Sequence, residues 1–133
     1  AFTVEELEEA MQKVMDQYAG GIGTHYQFNE KQLAMAEEKI KKLQILAKGL
    51  AAADMHELMF IYELKERLTV CLTVIAHLRA RKETRWHSFA ENLDYPEKSD
   101  AWLCYVNSKK NGDQITMIRR DLVKGGETYE HRD

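Results

Sequence analysis

The chain has 133 residues, of which 44% are hydrophobic and 31% are charged, a composition typical of one globular domain that is large enough for its own core. Its 22 acidic and 19 basic residues give a formal net charge of −3, which provides no electrostatic basis for binding nucleic acid or an anionic membrane surface. The longest apolar run, "LTVCLTVIAHL", is much shorter than the roughly 20 residues that span a bilayer, so direct membrane insertion is not expected.

The first residues and the two cysteines favour a cytoplasmic location. "AFTVEELEEAM" is acidic where a signal peptide would be basic. Cys71 and Cys104 do not have the spacing of a metal site or a disulfide framework. Because Cys71 falls on an apolar helical stripe, we expect its thiol to be reduced and buried.

Three segments carry the three-and-four spacing of amphipathic helices. The first apolar seam consists of Val4, Leu7, Met11, Val14 and Tyr18. Thr3 and Glu6 form a capping-box pattern at its start. The second seam runs over 33–50 with Asn29 as its N-cap, and the third lies in a helix from about 54 to 82. These seams predict a mainly α fold, an up-down-up three-helix bundle similar to a spectrin repeat.

The third predicted helix has more apolar residues than one seam requires. Its seam consists of Leu64, Leu68, Cys71, Ile75 and Leu78. Met59, Tyr62, Val70 and Val74 fall outside that seam. A helix that is apolar on more than one side is central in its fold, or it faces something outside the bundle.

Beyond the third helix the sequence changes character. Pro96 and a polar stretch end the helical pattern, and 102–108 and 115–123 are predicted strands on either side of an Asn-Gly turn. We therefore divide a single domain into three parts. They are a helical bundle with a docking loop at 1–100, a C-terminal β-hairpin extension at 101–124 and a flexible tail at 125–133.

Motifs for catalysis, metal binding or cofactor binding are incomplete in this sequence. "AGGIG" follows a helix and lacks the third glycine of a dinucleotide-binding loop, so it is interpreted as a helix stop with close backbone packing. His56 does not fit the HExxH zinc pattern because residue 60 is phenylalanine. We predict no catalytic, metal-binding or cofactor-binding residue in this chain, and a small helical enzyme or haem protein is the weakest hypothesis.

The segment after the third helix combines arginines with large aromatic residues. Arg79, Arg81, Lys82 and Arg85 lie near the helix end, where cations complement the helix dipole. The dipole does not account for the aromatic residues Trp86, Phe89, Tyr95 and Trp102. Aromatic residues beside arginine are typical of the centre of a protein interface. From the residues alone, the hypothesis is an independent helical protein–protein interaction module.

Four stretches of the sequence resemble a known family. In order they are "MDQYAGGIGTHYQFNE", "DMHELMFIYELKERLTVCLTVIAHLRARKETRW", "DYP" and "WLCYVNSK". Together they resemble the C-terminal helical region of flavoprotein subunits of the succinate dehydrogenase and fumarate reductase family, most closely the adenylylsulfate reductase branch. The resemblance covers about 11–123, and the "ETRW", "DYP" and tryptophan series is its most specific part.

The resemblance implies an accessory domain of an FAD-dependent oxidoreductase, with the FAD and the catalytic residues in other domains of the subunit. It implies partners in the flavin-binding and capping domains, and an iron–sulfur subunit is a further candidate. Self-association of this chain is an alternative use of the same surface. The predicted docking residues are Glu83, Arg85, Trp86, Asp94, Tyr95 and Trp102.

Overall fold

The computed structural model describes residues 2–85, 90–112 and 114–121. Three helices dominate it: α1 at Val4–Tyr18, α2 at Glu30–Lys48 and α3 at Met55–Ala80. They pack together as the predicted three-helix bundle, and each helix contacts the other two. Within the described ranges, no helix combines the length and the apolar character needed to cross a bilayer.

Side-chain caps fix where the helices begin. The Thr3 hydroxyl accepts a hydrogen bond from the Glu6 amide at 3.2 Å, which confirms the predicted cap of α1. Asn29 accepts from the Gln32 amide at 2.8 Å, as predicted for α2. At the start of α3, Asp54 caps the amide of Glu57 at 2.8 Å. Each cap satisfies a backbone donor that the first turn of a helix leaves free.

The core lies between the apolar seams of the three helices. The largest fully buried apolar side chains are Leu7, Leu33, Ile40, Leu64, Leu68 and Ile75. Two alanines of α2, Ala36 and Ala47, are also fully buried and let the neighbouring helices approach closely. The seams predicted from the sequence are therefore the surfaces that meet, although Cys71 and Leu78 are only partly buried.

The glycine-rich loop after α1 ends the helix, as predicted. Gly20 has φ +74°, a left-handed conformation that glycine adopts without strain. A Cβ on Gly21 would lie 2.5 Å from the Cα of Asp16, so only glycine fits beside the helix. The loop leads into β1, Gln27–Phe28, which pairs in parallel with β2, Glu91–Asn92. This short pairing joins two segments that are distant in sequence, and the residue pattern gave no sign of it.

The predicted hairpin is present, but its first strand begins and ends later than predicted, and 122–123 of the predicted second strand lie outside the described residues. β3 spans Cys104–Asn111 and β4 spans Gln114–Asp121, paired antiparallel with Cys104 opposite Asp121. The prediction that β3 begins at Trp102 is wrong, because Asp100–Trp102 forms a 3-10 turn. Both strands contact α3, so the hairpin packs along the bundle. The predicted tail at 125–133 lies outside the described residues.

Candidate docking site

The carboxylate of Glu83 is the centre of the segment that follows α3. Its side chain is fully buried and accepts hydrogen bonds from three residues. Arg85 donates from Nε to Oε1 and from Nη2 to Oε2, both at 2.8 Å. Arg81 donates to Oε1 at 2.8 Å and the amide of Ser99 donates to Oε2 at 3.0 Å. Two guanidinium groups and one amide thus compensate the buried charge, as such a group requires.

Arg81 also connects the end of α3 to the hairpin. Its Nη1 donates to the carbonyl of Trp102 at 2.6 Å, and its Nη2 donates to the carbonyl of Cys104 at 2.8 Å. Together with the bond to Glu83, these contacts fix one guanidinium between a helix end, a loop and a strand start. A helix-dipole role alone does not describe Arg81, because its donors are directed at specific acceptors.

The electrostatic environment of Glu83 favours its ionised form. Burial opposes ionisation, but the hydrogen bonds from Arg85, the Ser99 amide and Arg81 outweigh it and lower the pKa of Glu83. The same contact raises the pKa of Arg85, through its hydrogen bonds to Glu83. The cluster therefore stays charged at neutral pH and acts as a fixed connection rather than as a proton donor or acceptor.

Thr84 organises the loop around Asn92 from a buried position. Its hydroxyl donates to the carbonyl of Tyr95 at 2.8 Å and accepts from the amide of Asn92 at 2.9 Å. Asn92, also buried, accepts from the amides of Asp94 and Tyr95 through its side-chain oxygen, at 3.1 and 3.3 Å. These bonds give the "DYP" turn a defined shape although it lies between regular elements.

Asp94 connects that turn to the bundle. One of its carboxylate oxygens accepts from the amide of Glu30, the first residue of α2, at 2.7 Å. A carboxylate at this position satisfies a free helix donor and complements the positive end of the helix dipole. Asp94 lines a cleft of about 390 Å³ together with Lys82 and Tyr95.

Arg79 lies in the same cleft, and its charge is balanced by acidic residues of α2. It forms ion pairs with Glu30 and Glu37. The hydrogen bond to Glu30 is the main cause that raises the pKa of Arg79. The pKa of Glu37 is lowered, mainly by its hydrogen bond to Lys41 and also by Arg79. This arrangement stabilises the contact between α2 and α3.

The two described aromatic residues among the predicted docking residues differ in their surroundings. The Tyr95 side chain is 43% exposed and contributes to the outer surface of the loop. Trp102 is half-buried, and the guanidinium of Arg119 lies 4.0 Å from its ring centroid, a cation–π contact between the 3-10 turn and β4. Tyr95 is therefore the more accessible of the two.

The predicted docking residues fall into two groups, those that hydrogen-bond within the chain and those that are accessible at the surface. Glu83, Arg85 and Asp94 make their hydrogen bonds within the chain and shape the loop, while Tyr95 is accessible. Trp86 lies outside the described residues. Sequence reasoning missed the role of Thr84, and it assigned Arg81 only to the helix dipole. The "ETR" triplet, Glu83–Arg85, could have indicated these roles, because charged and hydroxyl side chains directly after a helix can hydrogen-bond to the loop that follows.

In the ranges 2–85, 90–112 and 114–121, no group of three or more His, Cys, Asp or Glu residues is placed to hold a metal ion. Burial raises the pKa of the Cys71 thiol, which disfavours the reactive thiolate.

A protein-family model matches most of the chain. The model described as fumarate reductase flavoprotein C-term matches residues 8–128. Among curated proteins, the adenylylsulfate reductase subunit alpha of Megalodesulfovibrio gigas is 34% identical over 98 residues, which are 73% of this chain and 15% of that protein.

Solved structures give a similar result over nearly the whole chain. The adenylylsulfate reductase of Archaeoglobus fulgidus matches with a TM-score of 0.90 and 37% identity, over 97% of this chain and 21% of that chain. A structure of adenosine-5-phosphosulfate reductase in complex with sulfite matches with the same TM-score, identity and coverage. The chain therefore spans about a fifth or less of the length of these relatives.

Proposed function

Because this chain belongs to the fumarate reductase flavoprotein C-terminal family, we propose that it packs against the flavin-binding and capping domains of a longer oxidoreductase subunit and stabilises them. The observation that carries this proposal is the match over 97% of the chain to a small part of a much longer reductase. The internally bonded loop around Glu83 supports it, because a preorganised surface loses little entropy on docking.

The names of the relatives support a proposal about the chemistry of the longer subunit. We infer that FAD is bound by the flavin-binding domain, since the matched family is one of flavoproteins. We infer that the substrate is of the adenylylsulfate class, since the sequence relative and the Archaeoglobus fulgidus structure are both adenylylsulfate reductases. An iron–sulfur subunit is the proposed electron-transfer partner, and the cytoplasm is the proposed location. In this proposal the chain supplies shape and stability, and the reaction takes place in the other domains.

A chimeric subunit tests the proposal. This chain would replace the corresponding C-terminal region of the Archaeoglobus fulgidus flavoprotein, to which it is 37% identical. Flavin absorbance per purified subunit would be compared among the chimera, the unmodified subunit and a subunit truncated before this region. We expect the chimera to retain FAD as the unmodified subunit does, and this chain alone to retain none. A chimera that loses FAD as readily as the truncated subunit would contradict the proposal.

A further inference from the structure

One face of α3 carries apolar side chains that the bundle leaves exposed. Five residues form this α3 stripe and are exposed to 72, 59, 60, 60 and 41%; in chain order they are Met55, Met59, Tyr62, Val70 and Val74. On the opposite side of the same helix, Ile61, Leu64, Leu68 and Ile75 are buried in the core. The sequence pattern predicted a helix that is apolar on two sides, and among the residues that the structure describes one of these sides is buried and the other is exposed.

The α3 stripe is large enough to form part of an interface. At 3.6 residues per turn its members fall within an arc of about 120° and extend over about 29 Å of helix. The five residues together expose on the order of 500 Å², the scale of the largest surface patch of a typical monomer. Isolated exposed apolar residues are ordinary, whereas the largest apolar patch of a typical monomer, about 300–600 Å², is often functional, and the α3 stripe falls in that range. One partner of a standard protein–protein interface contributes about 800 Å², so the α3 stripe would supply more than half of such a surface.

The neighbouring elements flank the α3 stripe without covering it. On one side, Arg67 of α3 pairs with Glu8 of α1. On the other side, Thr69 and Leu72 of α3 line a cleft with Ile115 of the hairpin. The five apolar residues lie between these two contacts and stay exposed in the part of the chain that the structure describes.

We propose that the α3 stripe is the face onto which the flavin-binding part of the longer subunit docks, an inference that rests on the proposed function. About four-fifths of the solved relative lies outside the region that this chain matches, so the longer subunit has ample surface to cover the stripe. The stripe also lies on the helix that ends at the candidate docking site, because α3 leads from Val74 to Arg81, which bonds to Glu83.

The stripe also specifies the chemistry of the opposing surface. Methionine side chains adapt to irregular apolar surfaces, and Met55 and Met59 provide that adaptability at one end of the stripe. Two exposed carboxylates interrupt the same face between Tyr62 and Val70: Glu63, which pairs with Arg67 at 4.0 Å, and Glu66. Because burying an unpaired carboxylate is costly, the opposing surface is apolar with one lysine or arginine placed against Glu66.

Methionine oxidation measures this contact directly, because peroxide converts accessible methionine to its sulfoxide. Met55 and Met59 would be compared between this chain alone and the FAD-loaded chimera, by mass spectrometry after timed exposure to peroxide. Met35 on α2, which is 38% exposed, is the internal reference for general protection. We expect Met55 and Met59 to oxidise several-fold more slowly in the chimera, while the rate at Met35 is unchanged.

Substitutions provide a second readout on the same chimera. Met59→Ser and Val70→Ser should accelerate FAD loss and leave the urea midpoint of this chain alone unchanged. Ile45→Ser is the matched control, since Ile45 is an apolar α2 residue with 67% exposure outside the stripe. The control should not accelerate FAD loss.

The outcomes separate the inference from the proposed function. A chimera that retains FAD but oxidises Met55 and Met59 as fast as this chain alone would overturn the inference and leave the proposed function standing. A chimera that retains no FAD would overturn the proposed function, and the inference with it. Protection of Met55 and Met59 that grows with the concentration of this chain alone would assign the stripe to a second copy, which also overturns the inference.

Discussion

Replacing Glu83 by glutamine would remove a buried negative charge while nearly preserving the shape of the side chain. The carboxylate accepts four hydrogen bonds at 2.8–3.0 Å, from Arg81, twice from Arg85 and from the amide of Ser99. A glutamine offers one acceptor oxygen, and its amide group would point donors at donors. The substitution therefore leaves two guanidinium groups uncompensated and at least one backbone or side-chain donor without a partner.

The expected loss follows from the burial of the cluster. Removing one member of a buried ion pair costs about 3–5 kcal/mol. The Arg81 and Arg85 side chains are 30% and 22% exposed, so water compensates part of their charge when Glu83 is changed. We therefore expect Glu83→Gln to lower the free energy of unfolding by about 2–3 kcal/mol, near or below the lower end of that range.

Urea denaturation at pH 7, followed by far-UV circular dichroism, measures this loss. Glu38→Gln is the matched control, because Glu38 is 70% exposed and its ion pair with Lys42 is 3.5 Å long. The control should change the free energy of unfolding by no more than about 0.5 kcal/mol. Equal midpoints for the two variants would refute the argument that the Glu83 cluster holds the loop and hairpin to the bundle.

Three further predictions concern the core, a helix cap and the response to acid. Leu68→Ala and Ile75→Ala should each lower the free energy of unfolding by about 2–5 kcal/mol, because both side chains are fully buried. Urea midpoints would check this against Val70→Ala, which should change stability little because Val70 is 60% exposed. Asp94→Ala removes the cap on the first amide of α2 and should cost about 0.5–2 kcal/mol in the same assay, whereas full retention of stability would show that water replaces the carboxylate. The native pKa of Glu83 is below its ordinary value of 4.5, so its contribution to stability is complete above pH 4.5 and is lost as the pH falls through the native pKa. The difference in unfolding free energy between wild type and Glu83→Gln should therefore shrink as the pH falls through that range. A constant difference down to about pH 2 would contradict the assignment.

The sequence by itself determined the helices and their buried faces. The spacing of residues such as Leu7, Leu33 and Leu68 predicted which sides meet, and the caps at Thr3 and Asn29 predicted where two helices begin. Both signals are local, since an amphipathic period and an N-cap depend on residues within one or two turns. The sequence also identified the family, because the "ETRW" and "DYP" motifs lie in one continuous region.

Only the tertiary structure decided which charges are used within the chain. Glu83 bonds to Ser99 and Asp94 bonds to the start of α2, across 16 and 64 residues. No period or local motif encodes such contacts, because they depend on how the chain folds back on itself. The strand boundary was decided in the same way, since a 3-10 turn at Trp102 precedes β3 and the carbonyls of Trp102 and Cys104 accept from Arg81. The exposure of the α3 stripe also depends on the tertiary fold: the sequence showed apolar residues on two sides of the helix, and among the described residues the packing of α1, α2 and the hairpin covers one of them.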